Sequence, residues 1–289
     1  MTVIQKPKRV STKSAPRPAQ GDGQHHDWSY VRGLGGLRQP PDFRDKPYAA
    51  RLAAAPPLEV DLRSVMPPVY DQGSLNSCAA NSTAAAMEYE RDRQGLSDFV
   101  PSRLFIWYNG RALEGSIASN MGVFNRDAIK VLNTDGVCAE AMWSYDPAMF
   151  RAAPPKYCYV TALTDRAVSY EGIYTLESLK DAIASKLSVV FTFSLYESFY
   201  SPEVQQTGVV PMPAPNEQHI GFHSVLAVGY SDPKGQVIVR NSWSASWGDK
   251  GYFYMPYQYL TGPAASSDSA SIEGAYLTSD FWSIELVSS

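Results

Sequence analysis

The residue best placed for covalent chemistry is Cys78. It follows the irregular stretch DQGSLNS and opens the alanine-rich segment CAANSTAAAMEYERDR, which stops shortly before Gly95. Small and apolar residues recur in this segment at helical spacing, so it predicts a helix that begins at Cys78. The amino-terminal end of a helix stabilises an anion and lowers the pKa of a thiol, which favours the nucleophilic thiolate. The alternative is a buried cysteine that packs as a small hydrophobic residue.

Two residues further along the chain complete a nucleophilic set. His223 opens the apolar run HSVLAVGY, 145 residues after Cys78, and Asn241 follows the run VIVR another 18 residues on. An imidazole takes the proton of a thiol, and an amide orients the imidazole. Gln72, six residues before Cys78, is close enough in sequence to offer its side-chain N–H beside the backbone N–H of Cys78. Two such donors would form an oxyanion hole, so the pattern predicts acyl-transfer chemistry.

The elements that must position these residues fall into two halves. Helical patterns come first, at Cys78–Arg93, 102–113 and 125–133. Runs rich in β-forming residues, separated by Gly, Pro and Asp turns, come second, at 188–195, 223–230, 237–240 and 252–255. Helices followed by strands predict an α+β protein, and a cleft between the two halves is a common ligand site.

Composition excludes several classes of protein. The chain has 289 residues, of which 44% are hydrophobic and 19% charged, as expected of a soluble globular enzyme. It contains no run long and apolar enough to span a membrane, and its start lacks the apolar stretch of a secretory signal. We therefore expect a cytoplasmic protein, with signal-independent export left open. Three cysteines make neither a disulfide framework nor a zinc site, and we expect no cofactor and no metal.

The charge is distributed unevenly. Residues 1–55 contain ten Lys or Arg and four Asp, which gives them a net charge of +6. Because the whole chain has a net charge of −4, the remaining residues carry −10. A basic start on an acidic body indicates either a nucleic-acid-binding arm or a segment that folds back on its own domain. The basic residues are scattered among Pro and Ser, and no nucleic-acid-binding module follows. We therefore expect no nucleic-acid partner and a monomer.

Four motifs resemble one known family. VDLR (60–63), DQGSLNSC (71–78), HSVLAVGY (223–230) and NSW…WG..GYF (241–253) stand in the order and near the spacing of the papain-like cysteine peptidases. The resemblance covers about residues 58–260, with a weaker echo at 275–282. It implies a two-lobed papain-like fold, with the nucleophile helix in a helical lobe packed against a β-sheet or barrel lobe. It also implies a Cys-His-Asn endopeptidase that rests as a thiolate–imidazolium pair and acts on peptides or proteins.

The departures from the family pattern concern the surroundings of the nucleophile. Leu75 stands where a disulfide cysteine is usual, Asn76 where glycine is usual and Ala79 where an aromatic is usual. The chain therefore looks like a bacterial-type member that works without disulfides. None of these changes removes a catalytic group, but Asn76 leaves open the shape of the subsite beside Cys78.

The resemblance also assigns substrate-binding residues. Its main specificity pocket would have walls and floor from Gly122, Val123, Val189, Phe222 and Thr278–Ser279. Apolar lining favours apolar substrate residues, although the nearby Asp280 leaves a basic preference open. Trp243 would shield the Asn241–His223 hydrogen bond from water, and Trp247 would support the other side of the cleft.

Two other functions use the same residues. An acyltransferase or a deamidase needs the same triad, because only the acceptor nucleophile changes. A non-catalytic binding module would keep the fold without turnover.

The amino-terminal extension is the remaining feature. We expect residues 56–289 to form the peptidase domain and residues 1–55 to precede it, with 1–24 disordered because they are rich in Pro, Ser and Lys. Prolines and glycines exclude an amphipathic helix in 25–55, whereas aromatic anchors suit docking. We predict that part of 25–55 lies along the domain, reaches the cleft and restricts entry of substrate. The alternative is a segment that merely covers apolar surface.

Overall fold

The structure, a computed structural model, describes residues 33–40, 42–96, 99–262 and 277–286. The segment predicted to be disordered, 1–24, and residues 25–32 of the predicted docked segment lie outside the described residues. Within the described residues, no helix is long and apolar enough to cross a membrane.

The secondary structure is mixed. The described α-helices are α1 (Cys78–Arg93), α2 (Arg103–Leu113), α3 (Asn125–Thr134), α4 (Lys156–Ala162), α5 (Leu176–Ala184), α6 (Pro202–Thr207) and α7 (Tyr257–Thr261). The described β-strands are β1 (Glu59–Asp61), β2 (Ala167–Gly172), β3 (Val189–Tyr196), β4 (His219–Ser231), β5 (Gln236–Arg240), β6 (Tyr252–Pro256) and β7 (Thr278–Leu286). The predicted α+β class is confirmed.

Helix α1 forms where the alanine-rich pattern predicts it. Of its 16 residues, 14 are buried, which explains why its first half carries so little charge. Gly95, two residues after its end, has a φ of +70°, the left-handed conformation that commonly terminates a helix. Helix α2 begins one residue later than predicted, because Ser102 caps it by accepting a hydrogen bond from the N–H of Phe105.

The described strands form one sheet whose order is β2-β7-β3-β4-β5-β6, with β1 also paired to β4. The four predicted β-runs are confirmed: β3 is shifted by one residue, β5 and β6 are one residue longer than expected, and β4 begins four residues earlier and ends one residue later. Strands β1, β2 and β7 were not predicted. Strand β7 contains Asp280 with a φ of +61°, and the register between β3 and β7 shifts near that residue. Such an irregularity hides the alternation by which a strand is recognised.

Sheet register places the histidine and the asparagine together. Leu226 on β4 pairs with Arg240 on β5, so residue 241 continues beside Val225. Side chains alternate along a strand, and His223, two residues from Val225, therefore lies on the same face. Helix α1 packs against β4 and brings its first residue to this part of the sheet.

The described part of the extension lies against the domain. We call residues 39–52 the anchor segment, because its described residues, 39–40 and 42–52, form ion pairs and hydrogen bonds with the body. Arg126 of α3 binds Asp45 at 2.6 Å, and Lys46 binds Glu171 at 2.6 Å. Other anchor contacts involve the carboxylate of Asp181, which accepts hydrogen bonds from the Tyr48 hydroxyl (2.6 Å), the Arg51 N–H (2.8 Å) and the Leu52 N–H (3.1 Å).

Candidate active site

His223 and Asn241 form a hydrogen-bonded pair. Nε2 of His223 lies 2.9 Å from Oδ1 of Asn241. That same oxygen accepts the N–H of Ser242 at 2.8 Å, which fixes the orientation of the amide. Since Oδ1 only accepts hydrogen bonds, Nε2 of His223 carries the proton and Nδ1 of the neutral ring is left as an acceptor. Among the described residues, Nδ1 has no hydrogen-bond partner. The ring is therefore in the tautomer that a general base requires.

Cys78 contacts the residue that follows His223 in the chain. The backbone N–H of Ser224, the residue after His223, donates to Sγ of Cys78 at 3.3 Å. Cys78 is the first residue of α1, so the nucleophile candidate occupies the amino-terminal end of a 16-residue helix. The ring of Trp243 packs on the His223 ring, with 4.9 Å between centroids. The structure thus brings together residues that are 145 and 18 positions apart in sequence.

Gln72 is held in place by its neighbours. Its backbone N–H donates to the carbonyl of Ser242 at 2.9 Å, and its side-chain Oε1 accepts the Ser242 hydroxyl at 2.6 Å. The amide Nε2 must then point the other way, where it donates to the carbonyl of Leu75 at 2.9 Å and to the carbonyl of Gly33 at 2.6 Å. The side-chain N–H predicted to stabilise an oxyanion is therefore occupied by a peptide carbonyl.

The carbonyl of Gly33 belongs to the cleft segment, the name we give to residues 33–36. Its main chain makes four hydrogen bonds to the site, two with main-chain and two with side-chain partners: Gly33 N–H to Gly73 O (3.1 Å), Gln72 Nε2 to Gly33 O (2.6 Å), Leu34 N–H to Asn76 Oδ1 (2.9 Å) and Gly36 N–H to Phe222 O (3.0 Å). A peptide therefore already occupies the groove beside Cys78 and His223.

Three glycines permit this close approach. A Cβ at Gly36 would lie 2.7 Å from the backbone nitrogen of His223, and a Cβ at Gly33 would overlap the carbonyl group of Leu75. Gly35 has a φ of +110° and packs its carbonyl against Gly122, where a Cβ would overlap it. Since backbone atoms cannot rotate away as side chains do, the positions of Gly33, Gly35 and Gly36 have no room for a Cβ.

Burial changes the electrostatics of the site. Cys78 and His223 are both 0% exposed. Burial raises the pKa of Cys78 to about 12, although backbone N–H groups act in the opposite direction. Burial also lowers the pKa of His223 to about 4, opposed by its hydrogen bond to Asn241. The covered arrangement therefore favours a neutral thiol and a neutral imidazole, and differs from the predicted resting ion pair, because both charged forms lose their hydration.

The predicted substrate-binding residues separate into two groups. Gly122 and Phe222 contact the cleft segment directly. Val123, Val189 and Ser279 are almost fully buried in the domain. Trp247 is also buried and stacks on Phe199, with centroids 5.2 Å apart, while its edge-to-face contact with Trp243 spans 5.4 Å. It thus supports the tryptophan that covers His223.

Three contributions to the site were not recognised from the sequence. Ser242 orients both Gln72 and Asn241, and Ser224 supplies an N–H to Cys78. Asn76 binds the cleft segment, whereas its sequence position indicated only a departure from the family pattern. The three glycines of the run 33–36 were a visible signal, because close contact between two backbones needs residues without a Cβ.

Comparison with known proteins identifies the family of this chain. A family model described as "Papain family cysteine protease" matches residues 56–267. The chain is 42% identical over 227 residues to an uncharacterized peptidase C1-like protein of Acanthamoeba polyphaga mimivirus, which covers 75% of this chain and 69% of that protein. It is 25% identical over 247 residues to pro-cathepsin H of Mus musculus, but spans only 62% of the length of that protein.

Solved structures show the same fold. Xylellain, a cysteine protease from Xylella fastidiosa, is 36% identical with a TM-score of 0.78 and covers 89% of this chain and 97% of its own. Digestive procathepsin L 3 of Tenebrio molitor has a TM-score of 0.63 at 19% identity, a likeness of fold, over 89% of this chain and 77% of its own. The predicted papain-like fold is confirmed. The chain belongs to the papain family and is a cysteine protease.

Proposed function

We propose that this protein is an endopeptidase in which Cys78 is the nucleophile, His223 the general base and acid, and Asn241 the residue that orients His223. The observation that carries the proposal is the assembly of the three from separate elements. Asn241 Oδ1 lies 2.9 Å from Nε2 of His223, and the neighbouring Ser224 N–H donates to Sγ of Cys78 at 3.3 Å. This arrangement leaves Nδ1 as the acceptor for the thiol proton.

The mechanism follows from these roles. His223 accepts the proton of Cys78, and the thiolate forms a bond to the carbonyl carbon of the scissile peptide. Gln72 Nε2 and the Cys78 N–H hold the resulting oxyanion, and one such donor contributes about 3 kcal/mol in other enzymes. The imidazolium then protonates the leaving amine as the C–N bond breaks. Water, deprotonated by His223, hydrolyses the thioester and regenerates the thiol.

One pair of assays separates this proposal from its rivals. An irreversible thiol-directed peptide inhibitor and a dipeptidyl fluorogenic amide are applied to the protein and to its Cys78→Ala variant. Labelling of Cys78 together with cleavage of the amide is the expected result. Labelling without cleavage favours an acyltransferase or deamidase, and neither labelling nor cleavage favours a binding module. Activity that persists in Cys78→Ala would show that Cys78 is not the nucleophile.

We also propose that the extension gates the site. Supporting this are the four hydrogen bonds of the cleft segment, its occupation of Gln72 Nε2 and the complete burial of Cys78 and His223. A substrate must displace the segment before its carbonyl reaches Gln72. The thiolate–imidazolium pair then forms on opening, when water returns and the desolvation that disfavours both charges is removed.

The anchor segment determines how the gate is best tested. Removing all residues before Pro56 would also remove the partners of Arg126, Glu171 and Asp181. A chain that begins at Arg38 loses the cleft segment but retains the anchor segment, and is the sharper comparison. We expect the second-order rate of Cys78 modification by a peptidyl inhibitor to rise in that chain. An unchanged rate, in a protein with the same thermal melt, would show that the segment does not restrict access.

A further inference from the structure

Asn76 lies two residues before Cys78, and its backbone N–H and both polar atoms of its side chain have defined partners. Its backbone N–H donates to Oδ1 of Asn120 at 2.8 Å, and its Nδ2 donates to the backbone carbonyl of Asn120 at 2.7 Å. A carbonyl accepts only from the nitrogen side of an amide. The bond to Asn120 therefore fixes the Asn76 side chain with Oδ1 turned toward the cleft segment.

Oδ1 of Asn76 accepts a main-chain N–H in that position. The donor is Leu34, at 2.9 Å. The carbonyl of the same peptide unit, that of Gly33, accepts from Gln72 Nε2 at 2.6 Å. Asn76 and Gln72 thus hold opposite ends of one peptide group. Both contacts are to main chain, so they do not depend on side-chain identity.

The pair is suited to any peptide in the groove. Gln72 is fixed by Ser242 and Asn76 by Asn120, so neither side chain loses much freedom when it binds a peptide. Every peptide substrate carries the same N–H and C=O groups as the cleft segment. A preset acceptor beside the nucleophile is therefore available to substrate once the segment leaves.

We propose that Asn76 is a substrate-binding residue whose Oδ1 accepts a main-chain N–H, outside the scissile bond, of the peptide undergoing cleavage. This inference rests on the proposed peptidase function and deepens it. The same oxygen binds the extension in the covered state, so extension and substrate compete for it. The bond is made in the ground state and the transition state alike, so its loss raises KM and leaves kcat unchanged.

The test replaces one backbone N–H at a time by an ester oxygen in a peptide substrate, leaving the scissile bond intact. Full-length protein, Asn76→Ala and the control Ser119→Ala are compared. Ser119 is adjacent to Asn120, and its hydroxyl donates to the carbonyl of Ser116. The ratio of amide to ester kcat/KM is taken within each variant, so that the fraction of open molecules cancels.

We expect one position at which the ester lowers kcat/KM about fivefold in the unmodified protein and in Ser119→Ala, the size of one neutral hydrogen bond. Asn76→Ala should abolish that loss, while losses at other positions remain. Identical ester patterns in the unmodified protein and Asn76→Ala would overturn the role of Asn76.

Competition of the same peptides with iodoacetamide for Cys78 supplies a second readout that needs no turnover. This readout separates the proposed peptidase function from the proposed role of Asn76. If the protein hydrolyses no peptide, the peptidase function is wrong, whereas the peptide affinities still measure the contribution of Asn76. If ester replacement changes the peptide affinities equally in the unmodified protein and in Asn76→Ala, the proposed role of Asn76 is again overturned.

Discussion

Replacing Gly33 by alanine should open the covered site. A Cβ at this position would overlap the carbonyl group of Leu75 and lie 2.9 Å from the carbonyl carbon of Ser74. These are backbone atoms in the loop that leads to Cys78, and they cannot move aside without disturbing that loop. The cleft segment must therefore shift away. Because the substituted residue lies in the extension, the hydrogen bonds between His223 and Asn241 and between Ser224 and Cys78 are retained.

The size of the effect follows from the bonds that break. Displacement of Gly33 removes its N–H bond to Gly73, its carbonyl bond from Gln72 and the neighbouring Leu34 bond to Asn76. At about 1 kcal/mol each, these contribute about 3 kcal/mol to the covered state. Their loss shifts the equilibrium between covered and open forms by roughly 100-fold toward the open form. The rate of Cys78 alkylation should rise by up to this factor.

The assay is the second-order rate of Cys78 alkylation by iodoacetamide, with labelling at Cys78 established by mass spectrometry. Gly235→Ala is the control: Gly235 has a φ of +60°, and a Cβ at that position would meet nothing within 4 Å. That variant incurs backbone strain away from the cleft and should leave the rate unchanged. An equal rate in Gly33→Ala and the unmodified protein, or an equal rise in Gly235→Ala, would refute the reasoning.

Three further predictions concern the triad, its protonation and the anchor segment. In a chain beginning at Arg38, His223→Ala should lower kcat by roughly 10³-fold. Asn241→Ala should lower kcat less, because this substitution removes an orienting group and not a reacting one. Equal losses in the two variants would contradict the assigned roles. In Gly33→Ala, renewed hydration should lower the pKa of Cys78 from about 12 and raise that of His223 from about 4. Thiolate absorbance at neutral pH, measured against Cys78→Ala, should therefore increase, and full thiolate in the unmodified protein would contradict this. Arg126→Met should lower the melting temperature and speed Cys78 alkylation, because it leaves Asp45 without its ion-pair partner at 2.6 Å. A double-mutant cycle with Asp45→Asn should show coupling between the two residues, and additive effects would contradict a role for this ion pair.

The sequence determined the elements whose signals are local. Helix α1 was predicted residue for residue, because its alanine-rich composition and the glycine after it act within the segment itself. The strands with long β-rich runs were recognised for the same reason. Strand β7 was not, since Asp280 interrupts its pattern, and neither were the short helices. Candidates for the triad came from residue type and from motif order, both of which are properties of the linear chain.

Tertiary structure decided what depends on contacts between distant residues. The tautomer of His223 follows from the orientation of Asn241, which Ser242 fixes. The pKa values of Cys78 and His223 depend on how deeply each residue is buried, and no pattern around either residue contains that information. In the sequence, Asn76 indicates only a change in the shape of a subsite. In the structure, its side-chain amide binds Asn120 on one side and Leu34 on the other. The sequence specified which groups can react, whereas only the packing of distant segments set their protonation, their orientation and their access to substrate, because desolvation and hydrogen bonding act through space.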